Sequence, residues 1–193
     1  MNSNFEKAIK LDKNDALSPF KNKFINDDNL IYLDGNSLGK LPKTTITAIS
    51  NVTQNQWGNR LIRSWNEEWI ALSSNIAKKI AKLVGAQPEE IFVGDTTSLN
   101  LYKLLFAALD FQKGKEKIIT DALNFPSDLY VLEGLVRKHF KNHQIEIIGD
   151  ANEISLDSNL FKEKLDLNTA LLTLSLVTYK SAFMYHMKAI NAL

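Results

Sequence analysis

The chain has 193 residues, a length that suits one domain with a small appendage. Apolar residues make up 45% and charged residues 23%, which is ordinary for a globular protein, and the formal net charge is +1. Because there is no basic block, no acidic tail and no apolar run that approaches a membrane span, nothing favours nucleic acid or a membrane as a partner. Cysteine is absent, which excludes disulfides, thiolate metal sites and cysteine nucleophiles. We expect a soluble, cytoplasmic protein.

The first 90 residues alternate helical segments with polar links. Residues 4–10 predict a short helix, and Pro42–Trp57 predicts a second one. Leu30–Leu33 is typical of a short strand, and a loop with two glycines follows it at residues 34–39. The clearest helix runs from Asn66, its expected cap, to Val84, with Gly85 after its last turn. Its apolar stripe, which we expect in the core, consists of Trp69, Leu72, Ile76, Ile80 and Leu83.

The stretch Ile91–Leu105 passes from an apolar run through a small-residue turn into a helix. Apolar residues at i, i+3, i+4 and i+7 mark one buried face of that helix, namely Leu101, Leu104, Leu105 and Ala108. The helix therefore opens on Asp95–Ser98, where hydroxyl groups lie beside backbone N–H groups that have no helical partner. Such a helix start can bind an anion, above all phosphate. The open alternative is that Thr96 or Thr97 is simply an N-cap.

Three later stretches predict β-strands that alternate with helices. They are Lys117–Thr120, Gln144–Ile148 and the apolar run Ala170–Val177, which has the composition of a strand buried on both faces of a parallel sheet. A helix that begins near Phe125 and a short one at Asp157–Leu165 lie between them. This alternation indicates an α/β architecture in which helices cover a mainly parallel sheet.

Ligands in such folds bind at the carboxyl edge of the sheet, where strands end and helices begin. Three polar turns are expected at that edge: Asp95–Ser98, Phe125–Asp128 and Ser175–Ser181. Together they offer an anion site, an aromatic ring beside an acid, and a third group of hydroxyls. We therefore predict one planar ligand that carries a phosphate.

At these turns the chain resembles the kynureninases, pyridoxal-5′-phosphate (PLP) enzymes of the aspartate-aminotransferase fold type. Four motifs in the family's order carry the resemblance, which covers nearly the whole chain from Leu30 onward: Tyr32-Leu-Asp-Gly-Asn-Ser-Leu-Gly39, Gly94-Asp-Thr-Thr-Ser-Leu-Asn100, Phe125-Pro-Ser-Asp128 and Ser175-Leu-Val-Thr-Tyr-Lys-Ser181. The resemblance implies a PLP-dependent transferase-like large domain of fold type I, with helices on both faces of a mainly parallel sheet. We expect an N-terminal segment and substrate-side loop at residues 1–45 and a partial PLP-binding domain at residues 46–193.

The resemblance also implies an activity. Kynureninases hydrolyse the Cβ–Cγ bond of L-kynurenine to give anthranilate and L-alanine, and a variant acts on 3-hydroxykynurenine to give 3-hydroxyanthranilate. The reaction belongs to tryptophan catabolism by the kynurenine pathway and, in some organisms, to NAD biosynthesis. The implied cofactor is pyridoxal 5′-phosphate, the implied small-molecule substrate is L-kynurenine, and the full-length protein is expected to be a homodimer.

Seven residues match the family's cofactor contacts: Thr97, Ser98, Phe125, Pro126, Ser127, Asp128 and Ser175. By this resemblance Thr97 and Ser98 would hold the cofactor phosphate, and Phe125 would stack on the pyridine ring. Asp128 would be a polar contact to the cofactor, and Ser175 would lie near the phosphate or the ring.

Two further residues are placed on the substrate side. Ser37, in the Gly-Asn-Ser-Leu-Gly loop, resembles a substrate contact of the family. Arg63 is placed there by position and chemistry alone, and an ordinary surface arginine is the equally open alternative.

The chain also departs from the family. The lysine that forms the Schiff base comes later in such enzymes than this chain extends, and Lys103 and Lys180 lie outside its motif. We therefore expect either the N-terminal portion of a kynureninase or a truncated gene product, without a catalytic residue and inactive by itself. Ala182 stands where the family usually has glycine, and His186 where it usually has aspartate. A positive φ at position 182 would strain an alanine.

Two other functional hypotheses stay open. One is another enzyme of the same fold type, such as a cysteine desulfurase or a class V aminotransferase, which would share the phosphate site. The other is a non-catalytic module that kept the fold and lost the chemistry. We expect no metal site: the histidines are His139, His143 and His186, and the first two have basic neighbours and are expected to be solvated.

Overall fold

The computed structural model describes residues 3–27 and 29–193. The chain divides into two compact units, Met1–Val93 and Gly94–Leu193. No helix among the described residues is long and apolar enough to cross a membrane. The functional division expected at residue 45 stays a prediction.

The first unit is helical. Its α-helices are α1 (Ser3–Lys13), α2 (Lys43–Asn51) and α3 (Ile70–Val84). Between α2 and α3, residues 52–60 and 65–69 form π-helices, and residues 61–63 form a 3₁₀ turn. The helical path is interrupted at Leu61, which has a φ of 53°. The expected helices at residues 4–10 and after Pro42 are thus confirmed, as is the end of α3 at Gly85, which has a φ of 71°. Asn66 is not a cap, because it lies inside the second π-helix.

Two sequence predictions for this unit fail, one of them in part. Trp69, Ile76 and Ile80 of the predicted stripe are half-buried, whereas Leu72 and Leu83 are exposed. The fully buried residues of α3 are the small Ala77 and Ala81. Leu30–Leu33 forms no strand, and Ile31 and Leu33 are exposed. Periodicity identifies which side chains share a face, but burial depends on which face the rest of the unit covers.

The second unit contains the predicted parallel sheet. Its strands are β1 (Lys117–Asp121), β2 (Gln144–Ile148) and β3 (Thr169–Leu172), in the order β2-β1-β3, and both pairings are parallel. β3 is shorter than the predicted run Ala170–Val177, because the chain leaves the regular ladder after Leu172. The pairing of β3 with β1 contains a register shift. Lys117 pairs with Thr169 and Ile118 pairs with Leu171, so Ala170 is an extra residue.

Helices cover both faces of this sheet. They are α4 (Thr97–Phe111), α5 (Pro126–His139), α6 (Asn159–Lys164) and α7 (Met187–Ile190). Ile118 packs in a core with buried residues of α4 and α5, and its neighbour Ile119 packs in a second core with residues of α6 and α7. Successive side chains of a strand point to opposite faces, so β1 supplies both cores. The predicted α/β architecture is confirmed.

The predicted inner face of α4 is confirmed in part. Leu105 is buried, and Leu101 and Ala108 are half-buried. Leu104 is 69% exposed, and Leu109 takes its place in the core with 1% exposure. The buried face of α4 therefore follows the i, i+4 pair Leu105 and Leu109 and leaves Leu104 outside it.

β1 ends in a buried acid. The Asp121 carboxylate is 1% exposed and accepts hydrogen bonds from the Tyr185 hydroxyl (2.9 Å) and the Leu123 backbone N–H (2.7 Å). Burial raises the pKa of Asp121, while these donors act in the opposite direction. Burial and the nearby Asp121 carboxylate likewise raise the pKa of Tyr185, so its hydroxyl stays protonated as a donor.

Asp121 gives a pH-dependent prediction. Because its pKa is higher in the folded than in the unfolded chain, its contribution to stability is greatest in acid and is lost as pH rises through the folded-state pKa. We expect the unfolding free energy of the wild-type chain to fall relative to that of Asp121→Asn as pH rises from about 4 to 8. Urea denaturation of both chains across this range measures the difference. A difference that is constant with pH, or that rises, would contradict the assignment.

Candidate functional site

A small cavity lies at the carboxyl edge of the sheet, between α4, α5 and the ends of β1 and β3. Its volume is about 40 Å³. Its lining comes from three stretches of the second unit, residues 101–105, 120–132 and 173–175: Leu101, Leu105, Thr120, Asn124, Asp128, Leu129, Leu132, Thr173, Leu174 and Ser175. The predicted site residues Asp128 and Ser175 therefore meet, as expected for turns at one edge of a parallel sheet.

The second and third predicted turns also meet through their aromatic side chains. Phe125 is the N-cap of α5, and half of its surface is exposed. Its ring meets the Tyr179 ring edge to face, with 5.0 Å between centroids and 79° between planes. An accessible aromatic ring held at a fixed angle can pack against a planar ligand.

Pro126 and Ser127 belong to the same turn. Pro126 occupies the first helical position of α5, where the absent N–H costs nothing. The Ser127 hydroxyl donates to the Asp128 carboxylate at 3.4 Å. The N-cap position is Phe125, so Ser127 and Asp128 both lie inside the helix. Asp128 instead places its half-buried carboxylate in the first turn of α5, which favours a negative charge.

The predicted anion site lies at the start of α4. Thr96 is the N-cap, and its side chain accepts the Leu99 N–H at 3.2 Å. The cap role therefore falls on Thr96, and Thr97 and Ser98 occupy the first turn, where backbone N–H groups have no preceding helical carbonyl. Thr97 and Leu101 are four residues apart on one helix face, so Thr97 lies about 6 Å along the axis from the lining of the cavity.

The turn before α4 is tightly held. Asp95 has a φ of 56°, and its carboxylate forms an ion pair with Lys103. The Asn100 side chain donates to the Gly94 carbonyl at 2.8 Å. These contacts fix the backbone from which Thr97 and Ser98 project.

Ser37 and Arg63 lie in the first unit. Ser37 is exposed, and its N–H donates to the Asp34 carbonyl at 3.1 Å in a turn of the glycine-containing loop. Arg63 donates through Nε to the Arg60 carbonyl and through Nη2 to the Asn59 carbonyl, both at 3.1 Å. It thus closes the carbonyl end of the first π-helix. Three of its five guanidinium N–H groups are outside these two bonds.

Sequence reasoning missed the residues that join the strand ends. The Asn124 side chain accepts from Ser175, through the backbone N–H (3.1 Å) and the hydroxyl (2.8 Å), and donates to the Thr120 hydroxyl (2.8 Å). Thr120 in turn donates to the Thr173 carbonyl at 2.9 Å. Asn124 directly precedes the Phe-Pro turn, and a polar residue at the end of a buried strand is the signal that could have pointed to it.

The donor set suits the ligand predicted from the sequence. Hydroxyl and N–H groups at the start of α4 match phosphate oxygens. The accessible Phe125 ring, the Asp128 carboxylate and the Ser175 hydroxyl match a planar ring with polar substituents. The chemistry of these residues therefore suits a phosphorylated heteroaromatic ligand at this edge, while the cavity itself, at about 40 Å³, is too small to enclose the ring.

Comparison of the sequence with models of known protein families shows which family this chain belongs to. The family model for class-V aminotransferases matches residues 31–187. The chain belongs to the aminotransferase class-V family. It is also similar to the kynureninase of Pseudomonas fluorescens (37% identity) and to that of Burkholderia mallei strain SAVP1 (34%), each over 191 residues. These matches include 96% of this chain and 44% of each relative, so the chain spans less than half the length of the curated relatives it matches.

Two solved structures share the fold. One is described as a C-DES mutant with glycine covalently linked to the PLP cofactor, and it matches 89% of this chain and 44% of its own length with a TM-score of 0.76. The other is a NifS-like protein, which matches 78% of this chain and 41% of its own with a TM-score of 0.60. Their sequence identities are 15% and 16%, so these likenesses show the fold alone. That fold is the fold type I expected from the sequence.

The histidines differ in part from expectation. No group of three or more His, Cys, Asp or Glu side chains within residues 3–27 and 29–193 could hold a metal ion. His139 is exposed and is the last residue of α5, with its ring nitrogen 3.3 Å from the Tyr102 hydroxyl. His143 is not solvated as predicted: both ring nitrogens are buried, and the ring packs edge to face on Phe140.

Ala182 confirms the strain expected at its position. Its φ is 56°, in the left-handed region, and its N–H donates to the Thr178 carbonyl at 3.1 Å to close the turn after Ser175. A side chain with a Cβ is disfavoured there by about 1–2 kcal/mol relative to a right-handed conformation.

We expect Ala182→Gly to stabilise the chain by about 1 kcal/mol, because glycine adopts this φ without a Cβ clash. The gain is reduced by the larger entropy of glycine in the unfolded chain. Thermal and urea denaturation measure it. Ala151→Gly, at an exposed alanine of the same unit whose φ is not positive, is the matched control and is expected to be neutral or destabilising. If both substitutions destabilised the chain equally, the conclusion that the Ala182 backbone is strained would be wrong.

Proposed function

We propose that this chain forms the phosphate and ring contacts of a PLP site in a kynureninase. The supporting observation is 37% identity to a kynureninase over 96% of the chain, together with the meeting of Asp128 and Ser175 at one cavity. The proposed reaction is hydrolytic cleavage of the Cβ–Cγ bond of L-kynurenine, and of 3-hydroxykynurenine, to anthranilate or 3-hydroxyanthranilate and L-alanine. The proposed place of this reaction is tryptophan catabolism, with its branch to NAD biosynthesis.

Six predicted site residues of the second unit each have a definite role in this proposal. Thr97 and Ser98 donate hydroxyl and N–H hydrogen bonds to the phosphate at the positive end of α4. Phe125 packs against one face of the cofactor ring and excludes water from it, with Pro126 fixing the turn that presents the ring. Ser127 steadies the Asp128 carboxylate, which accepts a hydrogen bond from the cofactor.

When bound, the cofactor supplies an electron sink for the pair of electrons released at the substrate α-carbon. Lys103 and Lys180 are not proposed to bond to it. Lys103 pairs with Asp95, and the Lys180 ammonium donates to the Ala151 carbonyl at 3.2 Å. We therefore propose that the 193-residue chain binds PLP non-covalently and does not turn over kynurenine by itself. A homodimer and a cytoplasmic location are proposed for the full-length protein on the resemblance alone.

The substrate is proposed to meet Ser37 and Arg63. An arginine is suited to bind the carboxylate of an amino acid through paired N–H groups, and three N–H groups of Arg63 lie outside its two backbone bonds. Ser37 offers an exposed hydroxyl. A cysteine desulfurase is the alternative of the same fold type, and the likeness to the NifS-like protein bears on the fold only.

The proposed phosphate contacts of Thr97 and Ser98 can be tested by measuring how tightly variants of the chain bind PLP. We expect Thr97→Ala and Ser98→Ala each to weaken PLP binding about tenfold, because each removes a hydrogen bond to a charged group. Absorbance titration of the purified chain measures the dissociation constant. Thr96→Ala is the matched control, since it removes the helix cap and lowers stability by about 1 kcal/mol without removing a proposed phosphate contact. Equal losses of affinity in all three variants would contradict the phosphate role.

The mode of attachment is read in the same samples by borohydride reduction and mass spectrometry. We expect that no lysine will carry a specific pyridoxyl adduct. One specific adduct accompanied by turnover of kynurenine would overturn the non-covalent proposal.

The substrate proposal predicts selective binding in the presence of PLP. We expect L-kynurenine to bind more tightly than L-cysteine, and Arg63→Met to weaken kynurenine binding about tenfold through loss of a charged hydrogen bond. Calorimetric titration measures both ligands. Arg60→Met is the matched control, because Arg60 is also exposed but pairs with Glu67. Equal affinity for the two amino acids would favour the desulfurase alternative.

A further inference from the structure

A chain of hydrogen bonds runs along the carboxyl edge of the sheet from Ser175 to Thr173. Its links are Ser175 to Asn124, Asn124 to Thr120 and Thr120 to the Thr173 carbonyl, at 2.8–3.1 Å. The two central side chains are buried, with Asn124 6% and Thr120 0% exposed. Water does not compete for them, so their mutual arrangement is decided by these partners.

Backbone groups at both ends fix the direction of this chain. The Ser175 backbone N–H can only donate, so it requires the Oδ1 atom of Asn124 and not the amide nitrogen opposite it. A flipped Asn124 amide would set N–H against N–H. Asn124 therefore turns its Nδ2 donor to the Thr120 hydroxyl, which must accept. Thr120 then gives its own proton to the Thr173 carbonyl, a group that can only accept.

This direction determines what Ser175 can offer to a ligand. Its hydroxyl lies 2.8 Å from Asn124 Oδ1, an atom that carries no proton, so the hydroxyl must donate its proton there. Only the lone pairs of Ser175 Oγ remain for a partner in the cavity. Ser175 is thus a hydrogen-bond acceptor toward the cavity.

We propose that Asn124 is a positioning residue that makes Ser175 an acceptor, so that Ser175 contacts an N–H or O–H group of the cofactor ring and not its phosphate. The inference rests on the proposed function and decides between the two positions that the resemblance left open for Ser175. Phosphate oxygens near neutral pH are mainly acceptors, and two acceptors without a proton between them repel each other. A pyridoxal ring offers a phenolic hydroxyl and a nitrogen that can be protonated.

The proposal is tested with three probes on the same chain: PLP, pyridoxal without phosphate, and inorganic phosphate. We expect Ser175→Ala to weaken PLP and pyridoxal binding by the same factor, about tenfold, and to leave phosphate binding unchanged. Fluorescence titration measures the first two probes, and competition against PLP measures the third. Weakened phosphate binding with unchanged pyridoxal binding would overturn the proposal.

The role of Asn124 is tested through Thr120, whose side chain bonds to Asn124 and to the Thr173 carbonyl. Thr120→Val keeps the shape of the side chain but removes the acceptor for Asn124, whereas Thr120→Ser keeps the hydroxyl. We expect the valine variant to reproduce the loss of pyridoxal binding and the serine variant to restore it. Ser155→Ala, at an exposed serine of the same unit, is the control for non-specific effects.

A spectroscopic readout separates positioning from general loosening of the fold. The absorption of bound pyridoxal reports the protonation of its ring, so removing an acceptor for a ring proton should shift the pH at which that spectrum changes. We expect this shift in Ser175→Ala and Thr120→Val, and not in Thr120→Ser or Ser155→Ala. An unshifted spectrum in variants that still bind pyridoxal would contradict the inference.

The outcomes also separate this inference from the proposed function. If the chain binds none of the three probes, or binds PLP independently of Thr97 and Ser98, the proposed function fails. If PLP binding depends on Thr97 and Ser98 but Ser175→Ala weakens phosphate binding, only the present inference fails.

Discussion

The second unit depends on β1, a strand whose side chains are withdrawn from water on both faces. Residues Ile118 and Ile119 are fully buried on opposite sides, and each serves a different pair of helices. Apolar burial of this kind contributes about 2–3 kcal/mol for each isoleucine. The last residues of the same strand, Thr120 and Asp121, are equally buried but polar, and they need partners where the strand ends. The need for partners at these two positions brings the site residues together.

The polar edge of the sheet shows how a packing requirement gathers polar side chains in one place. Asp121 is satisfied by Tyr185 and the backbone of the following turn, and Thr120 is satisfied through Asn124 and Thr173. These bonds connect β1 to the segment after β3, and so they hold Ser175 beside Asp128. Every member of this arrangement is buried or paired, so its partners decide the orientation of each side chain.

The strands, the parallel order and most helix positions could be predicted because they depend on local composition and periodicity. The same reasoning identified the start of α4 and the Phe125 turn from cap and turn residues. It failed for Leu72, Leu83 and Leu104, since burial depends on which neighbour covers a face and not on the spacing of leucines. It also missed Thr120 and Asn124. Their importance comes from pairing with residues about 50 positions later, and no local pattern records such a pairing.

The extra residue Ala170 in β3 carries a topological consequence. In a parallel ladder, paired residues direct their side chains to the same face, so the shift pairs Leu171 with Ile118 and Leu172 with Ile119 and places each leucine on the face of its partner. Leu171 accordingly packs in the core beside α4 and α5, and Leu172 packs in the core beside α6 and α7. Loss of one residue at this point would exchange Leu171 and Leu172 between the two layers. The number of residues in this short strand therefore matters for the packing of both cores, as does their apolar character.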